Sequence, residues 1–203
     1  MAIVTDVTKD RRRVHVRLGG RTFDLTYAMY RLRPLEPGDE AEPEEYERWL
    51  AENQYKPALT YAMKLLGDRA HSEGELREKL RRVACQPLTV DLVILKLQQL
   101  GFVNDVDFAR EWASTRATHL GRRRIAEELR RKGISGDVAE QALEELPEED
   151  MAEAALSFAR AAMRHTKPGE DPRISRQKVM ARLVRRGYSW DEAKEAVAAA
   201  SGG

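Results

Sequence analysis

The sequence predicts a mainly α protein: three tandem three-helix repeats forming an elongated, curved array, with a small N-terminal β segment in front. Three observations carry this. One stretch recurs: residues 121–135 read GRRRIAEELRRKGIS, residues 72–82 read SEGELREKLRR and residues 175–189 read SRQKVMARLVRRGYS. Aligned on Ser72, Gly121 and Ser175, the apolar positions Leu76, Ile125 and Val179 coincide, as do Leu80, Leu129 and Leu183, at offsets of 49 and 54 residues. Such a period is that of small helical units, each needing its neighbours to cover its apolar face. The composition, 34% charged, 42% hydrophobic and 6% aromatic, is a soluble, helix-rich balance with a thin core per unit. Finally, the apolar pattern alternates near the N-terminus and becomes helical beyond it.

Residues 1–56 form the first module. Residues of about 3–33 read as strand, with Val14, Val16 and Leu18 alternating with His15 and Arg17, and Phe23 and Leu25 alternating with Thr22 and Asp24. Gly19-Gly20 between them suits a two-residue hairpin turn. Ile3, Val4 and Val7 add a third strand, and so small a sheet must lean on the first helices. Pro34 and Pro37-Gly38 break the chain, and an acidic helix of about 43–53 presents Tyr46, Trp49 and Leu50.

The repeats follow as 57–104, 105–147 and 148–203. In the first, a helix from near Pro57 carries Ala58, Leu59, Ala62, Leu65 and Leu66 and stops at Gly67. Ser72 and Glu75 form a capping box for the second helix, and a third with Leu92, Leu95, Leu97 and Leu100 ends at Gly101. The second repeat has Phe108, Ala109, Trp112 and Ala113, then the organising stretch, then a helix capped by Ser135. The third runs over about 148–165, passes a loop with Pro168, Gly169 and Pro172, and ends in a helix opened by Ser189 and Glu192. An apolar residue, a hydroxyl and a carboxylate recur before each third helix, at Leu88-Thr89 with Asp91, Ile134-Ser135 with Asp137, and Tyr188-Ser189 with Asp191. They read as caps rather than catalysts.

Several function classes fall away. No apolar run reaches the roughly 18–20 residues of a membrane span, and the N-terminus lacks the apolar core of a secretory signal. The single cysteine, Cys85, forbids an internal disulfide framework and suits a reducing cytosol. His15, His71, His119 and His165 lie far apart, without the second ligand at helical spacing that a metal needs. No phosphate-cradling glycine motif occurs. Ser114 and Ser157 lack an adjacent base. No catalytic residue, metal or cofactor is expected.

The net charge of +1 conceals segregation: residues 36–52 are acidic and the repeat cores basic. The candidate contact residues are Arg81, Arg82, Arg122, Arg123, Arg124, Arg130, Arg131, Lys132, Arg176, Lys178, Arg182, Arg185 and Arg186. Cations in a first helical turn, as at Arg122 to Arg124, oppose the helix dipole, which hints at an external anionic partner. Stacked repeats would align the clusters as a discontinuous stripe for phosphates or an acidic protein groove. Aromatic interleaving is sparse. Trp190 alone looks exposed, so base stacking is not argued.

The runs RAHSEGELREKL from Arg69, LGFVNDVDFAR from Leu100 and GRRRIAEELRRKGIS from Gly121, in that order and spacing, resemble the bacterial RecX family over about residues 57–200. The resemblance implies three tandem three-helix repeats and a modulator of the RecA recombinase. Members engage the RecA–single-stranded DNA filament, lie along its helical groove, and inhibit its ATPase and strand exchange in DNA repair and the SOS response. The family signature falls on Ser72, Leu76, Leu80, Asn104, Asp105, Phe108, Ala109, Gly121, Ile125, Leu129, Gly133 and Ile134, mostly caps, turns and packing positions. The third repeat departs from it, with Ser175 and Tyr188 where the second has Gly121 and Ile134. The β segment resembles extensions of longer members. The expectation is a non-enzymatic, monomeric, cytoplasmic regulator. Its partners are the RecA filament and single-stranded DNA, with duplex DNA as a further ligand. The alternative is a sequence-specific DNA-binding helical module.

Overall fold

In the computed structural model, which describes residues 1–166 and 170–202, four strands and ten helices are formed among the described residues. They fall into two compact units, Met1–Asn104 and Asp105–Gly203.

The first unit opens with an antiparallel sheet of order β3-β2-β1-β4: β1 Ala2–Lys9, β2 Arg13–Leu18, β3 Arg21–Thr26 and a two-residue β4, Glu40–Ala41. Gly19 and Gly20, at φ of 56° and 76°, form the hairpin turn that sets Leu18 opposite Arg21 and Val14 opposite Leu25. Alternation then puts Val14, Val16, Leu18, Phe23 and Leu25 on one buried face, covered by Tyr46 and Leu50. The Phe23 and Tyr46 rings meet edge-on at 5.3 Å.

The strand expected up to residue 33 stops earlier. Thr26 Oγ1 accepts from Met29 N and starts a short helix, α1, Tyr27–Leu32. The buried Tyr30 on it donates to Leu35 O at 2.9 Å. A local side-chain cap has overridden the strand pattern.

A second correction concerns the acidic helix and the first repeat helix, which are one: α2, Pro43–Asp68, 26 residues long. Pro57 lies inside it, and Gly67 does not end it. An interior proline costs about 3 kcal/mol. Packing on both sides offsets this, through Tyr46 and Leu50 against the sheet and Ala58 and Ala62 against the repeat.

Between those contacts Gln54 is a buried polar hub. Its Oε1 accepts from Gln86 N and Thr89 Oγ1, both at 2.9 Å, and its Nε2 donates to Ala84 O at 3.1 Å. Thr89 is therefore no cap. It lies inside α4, Pro87–Gln99, whose N-cap is Gln86. Gln86 Nε2 in turn donates to Asp24 O of β3 at 2.6 Å, binding sheet to repeat.

Helix α3, Glu73–Arg82, has the expected Ser72–Glu75 capping box and buries Leu76 and Leu80. On α4 the buried face is Val90, Val93, Ile94 and Leu97, whereas Leu92 and Leu95 are exposed and so is Leu100 just beyond.

The second unit holds α5 Asp105–Ala117, α6 Arg122–Arg131, α7 Gly136–Glu144, α8 Glu148–Arg164, α9 Pro172–Arg185 and α10 Trp190–Ser201. Ser135 and Ser189 cap α7 and α10, the latter with Glu192 in a capping box. One core runs through both repeats, from Ile125 and Leu129 to Met151, Val179, Leu183 and Tyr188, with alanines at the helix crossings. Helix α9 begins at Pro172 with Asp171 as its cap, so Ser175 is an internal, buried residue donating to Glu170 Oε2 at 2.8 Å. The loop residues Pro168 and Gly169 lie outside the described residues.

Candidate phosphate- and filament-contact surface

The thirteen cations are not equivalent, and their local bonding sorts them. Helix α6 begins at Gly121, where backbone meets backbone. Gly121 N donates to Arg186 O at 3.0 Å and Arg123 N to Gly187 O at 3.2 Å. A Cβ on Gly121 would sit 2.2 Å from Tyr188 N, and one on Gly187, at φ +94°, 2.4 Å from Arg124 N. The turn between α9 and α10 thus covers the start of α6. The free N–H groups expected there for an anion are partly taken by a neighbouring repeat's carbonyls.

Arg122 also proves internal. Its Nη2 donates to Leu146 O at 3.0 Å and pairs with Glu148 at 3.0 Å, and its Nε donates to Leu143 O at 3.3 Å. It thereby satisfies carbonyls at the end of α7. The expectation that a cationic first turn lacks structural gain is overturned for this residue. Arg124 pairs with Glu127 at 3.0 Å.

Lys132 Nζ stands 3.8 Å from the centroid of Trp112, which Arg116 also approaches at 4.4 Å. Arg116 Nε is 3.2 Å from Glu128 Oε2 but outside hydrogen-bond geometry, a charge contact only. Arg186 donates to His119 O at 3.0 Å and stacks on Phe158 at 4.2 Å. Lys178 pairs with Glu170, and Arg82 with Glu78. Among the described residues, Arg131 and Arg176 bond carbonyls of their own helices, those of Glu127 and Pro172.

Five cations remain exposed with no side-chain partner among the described residues: Arg81, Arg123, Arg130, Arg182 and Arg185. Arg123 and Arg130 are seven residues apart on α6 and so share a face, about 10.5 Å apart along the axis. They line a groove of about 860 Å³ between α6 and α7. Its apolar base includes Ala126, Ile134, Ala139 and Leu143, and α7 contributes Glu140 and Glu144. Cations, apolar base and carboxylates together suit a protein segment better than a bare polyanion, which the carboxylates repel. Arg182 and Arg185 are three apart on α9, also on one face.

Among the described residues no three His, Cys, Asp or Glu side chains come together as a metal site requires. Burial pushes the Cys85 thiol up to about 11, which removes its nucleophilic form at neutral pH. No described helix is long and apolar enough to cross a membrane.

Comparison with known proteins agrees with the repeat architecture. Family models described as the first, second and third three-helix domains of RecX match residues 58–97, 104–143 and 148–197. The regulatory protein RecX of Deinococcus radiodurans is 34% identical over 165 residues, covering 79% of this chain and 78% of the relative. That of Amycolatopsis mediterranei is also 34% identical, over 68% of this chain and 79% of its own. A Listeria welshimeri relative at 31% is longer, and the match spans 58% of it. The fold is similar to a crystallised regulatory protein RecX, with a TM-score of 0.64, 22% identity, and coverage of 96% of this chain and 98% of that one. RecX from Lactobacillus salivarius gives a TM-score of 0.68 at 21% identity, over 74% of this chain and 98% of that one.

Proposed function

The chain belongs to the RecX family of regulatory proteins, and from that premise we propose that it binds the RecA–single-stranded DNA filament and inhibits its ATPase and strand exchange. It acts without catalysis of its own, as a cytoplasmic monomer in DNA repair and the SOS response. The observation that carries the reading is the set of exposed guanidiniums on the second helices of the repeats that have no side-chain partner among the described residues. Arg123 and Arg130 border the α6–α7 groove and Arg182 and Arg185 share one face of α9. A guanidinium held without an internal partner is free to meet carboxylates of the recombinase or phosphates of its DNA. Occupying the filament in this way excludes the second DNA and resists the protomer motions coupled to ATP hydrolysis.

The alternative, a sequence-specific duplex reader, needs the start of its basic helix inside the major groove. The start of α6 is instead covered by Gly187 and Tyr188, which counts against that reading.

The test is inhibition of the RecA ATPase on single-stranded DNA by the double variant Arg123→Glu/Arg130→Glu. Weakened inhibition with an unchanged circular-dichroism spectrum is expected. Full inhibition by the folded variant would take both residues out of the mechanism. Absence of inhibition by the wild-type chain would sink the reading itself.

A further inference from the structure

The turn joining β1 and β2 reads Asp10-Arg11-Arg12-Arg13 and lies outside every repeat. It is firmly built. Asp10 Oδ1 accepts from Arg12 N at 2.6 Å and Arg13 N at 2.7 Å, Asp10 N donates to Arg13 O at 2.9 Å, and Tyr27 OH donates to Asp10 O at 2.5 Å. Arg13 then reaches across to the first repeat: its Nη2 donates to Arg82 O, at the end of α3, at 2.6 Å. The Gln86 to Asp24 bond holds sheet and repeat together beside it. The Arg13 bond thus brings together two segments 69 residues apart, the turn that carries Arg11 and Arg12 and the helix end that carries Arg81 and Arg82.

The carboxylates in the neighbourhood are already engaged. Asp10 takes the two backbone N–H groups and His15, Asp24 takes His15 and Arg13, and Glu78 takes Arg82. Arg11, Arg12 and Arg81 are exposed and have no side-chain partner among the described residues. Beside Arg82, Val83 adds an exposed apolar side chain. Concentrated charge, on a turn whose ordering is already met by its own hydrogen bonds, matches a repeating polyanion rather than a protein face.

We infer that the β1–β2 turn and the end of α3 form a binding site for the phosphodiester backbone of nucleic acid, with single-stranded DNA as its ligand. The inference deepens the filament reading by giving the N-terminal sheet the DNA contact and leaving the α6–α7 groove for protein. Each of Arg11, Arg12 and Arg81 replaces a condensed counterion on one phosphate, and the contact carries no sequence information.

The test uses the full chain and a labelled oligo-dT strand, without recombinase, followed by fluorescence anisotropy. For Arg11→Ala/Arg12→Ala the slope of log affinity against log salt is expected to flatten by about 1.4, or 0.7 for each lost phosphate contact. Between about 50 and 200 mM salt the wild-type affinity then falls about sevenfold more than the variant's. Adding Arg81→Ala flattens the slope further, by about 0.7 for the third phosphate contact. Matching melting temperatures exclude unfolding as the cause. An unaltered slope in the turn variant, or no binding of oligo-dT by the wild type at low salt, overturns the proposal. So does unaltered oligo-dT binding with weakened binding to the assembled filament, which would assign the surface to a protein partner. ATPase inhibition, measured separately, reports on the filament reading alone.

Discussion

Replacing Gly121 by alanine tests the joint between the second and third repeats. The new Cβ would lie 2.2 Å from Tyr188 N and 2.3 Å from the carbonyl carbon of Gly187. Both are backbone atoms that no side-chain rotation can remove. To relieve the clash, the start of α6 must withdraw from the α9–α10 turn. That breaks the bonds Gly121 N to Arg186 O and Arg123 N to Gly187 O. Two net hydrogen bonds are worth about 1 kcal/mol each, and overpacking adds roughly 1–3 kcal/mol, so a loss of about 3–5 kcal/mol is expected. Against the roughly 5–15 kcal/mol of a typical domain, this is a large share. Urea unfolding followed by far-UV circular dichroism and tryptophan emission measures it. Gly136→Ala, where nothing lies within 4 Å of the added carbon, is the control and should change stability by less than about 0.5 kcal/mol. Gly187→Ala breaks the same joint, so the double variant should lose less than the sum of the two single losses. A loss below about 1 kcal/mol for Gly121→Ala would refute the claim that this contact holds the repeats together.

Gln54→Leu should cost roughly 3–6 kcal/mol, because Gln86 N, Thr89 Oγ1 and Ala84 O all lose a buried partner; a near-neutral result in urea unfolding would show that the hub is replaceable. His15 is held above its ordinary value of 6.5 by the hydrogen bonds its ring donates to Asp24 and then Asp10. A raised folded value means that the stabilisation is complete below about 6.5 and fades as pH rises through the folded value. Wild-type melting temperature should therefore fall relative to His15→Asn as pH is raised from slightly acid to slightly alkaline, and parallel pH profiles would contradict it. Gly67→Ala, inside α2 with open space around it, should stabilise the chain by about 0.5–1 kcal/mol in the same urea assay.

Much of this fold is legible residue by residue. Branched apolar residues four apart, Leu76 and Leu80, Ile125 and Leu129, Val179 and Leu183, mark the second helix of each repeat. Gly19-Gly20 marks the hairpin, and serine with glutamate three residues on marks the caps at Ser72 and Ser189. What escapes the pattern is decided at long range. Pro57 after an acidic run reads as a break, yet α2 continues because both halves pack on different partners. The stretch PLTVDLVILKLQQ carries apolar residues on its exposed face as well as its buried one, so its period cannot say that Val93 and Ile94 face inward while Leu92 and Leu95 face out.

The site follows the same division. Composition and repeat register find the cations. Arg122 and Arg130, however, look alike in sequence, and only folding brings Arg122 to the carbonyl of Leu146, 24 residues away. Nothing in the pattern connects the turn of Arg11 and Arg12 with the end of α3, since the two are joined only in the fold, through the bonds of Arg13 to Arg82 O and of Gln86 to Asp24 O.

The continuity of α2 has an evolutionary and mechanical corollary. A rod of about 39 Å whose first half carries the sheet and whose second half belongs to the repeat offers no seam at which a protease could cut or recombination could splice. A junction drawn anywhere near Pro57 would sever a hydrogen-bonded helix and discard Gln54 from the far side. A pull on the basic turn reaches α3 and α4 through Arg13 and Gln86, without passing through a hinge in α2.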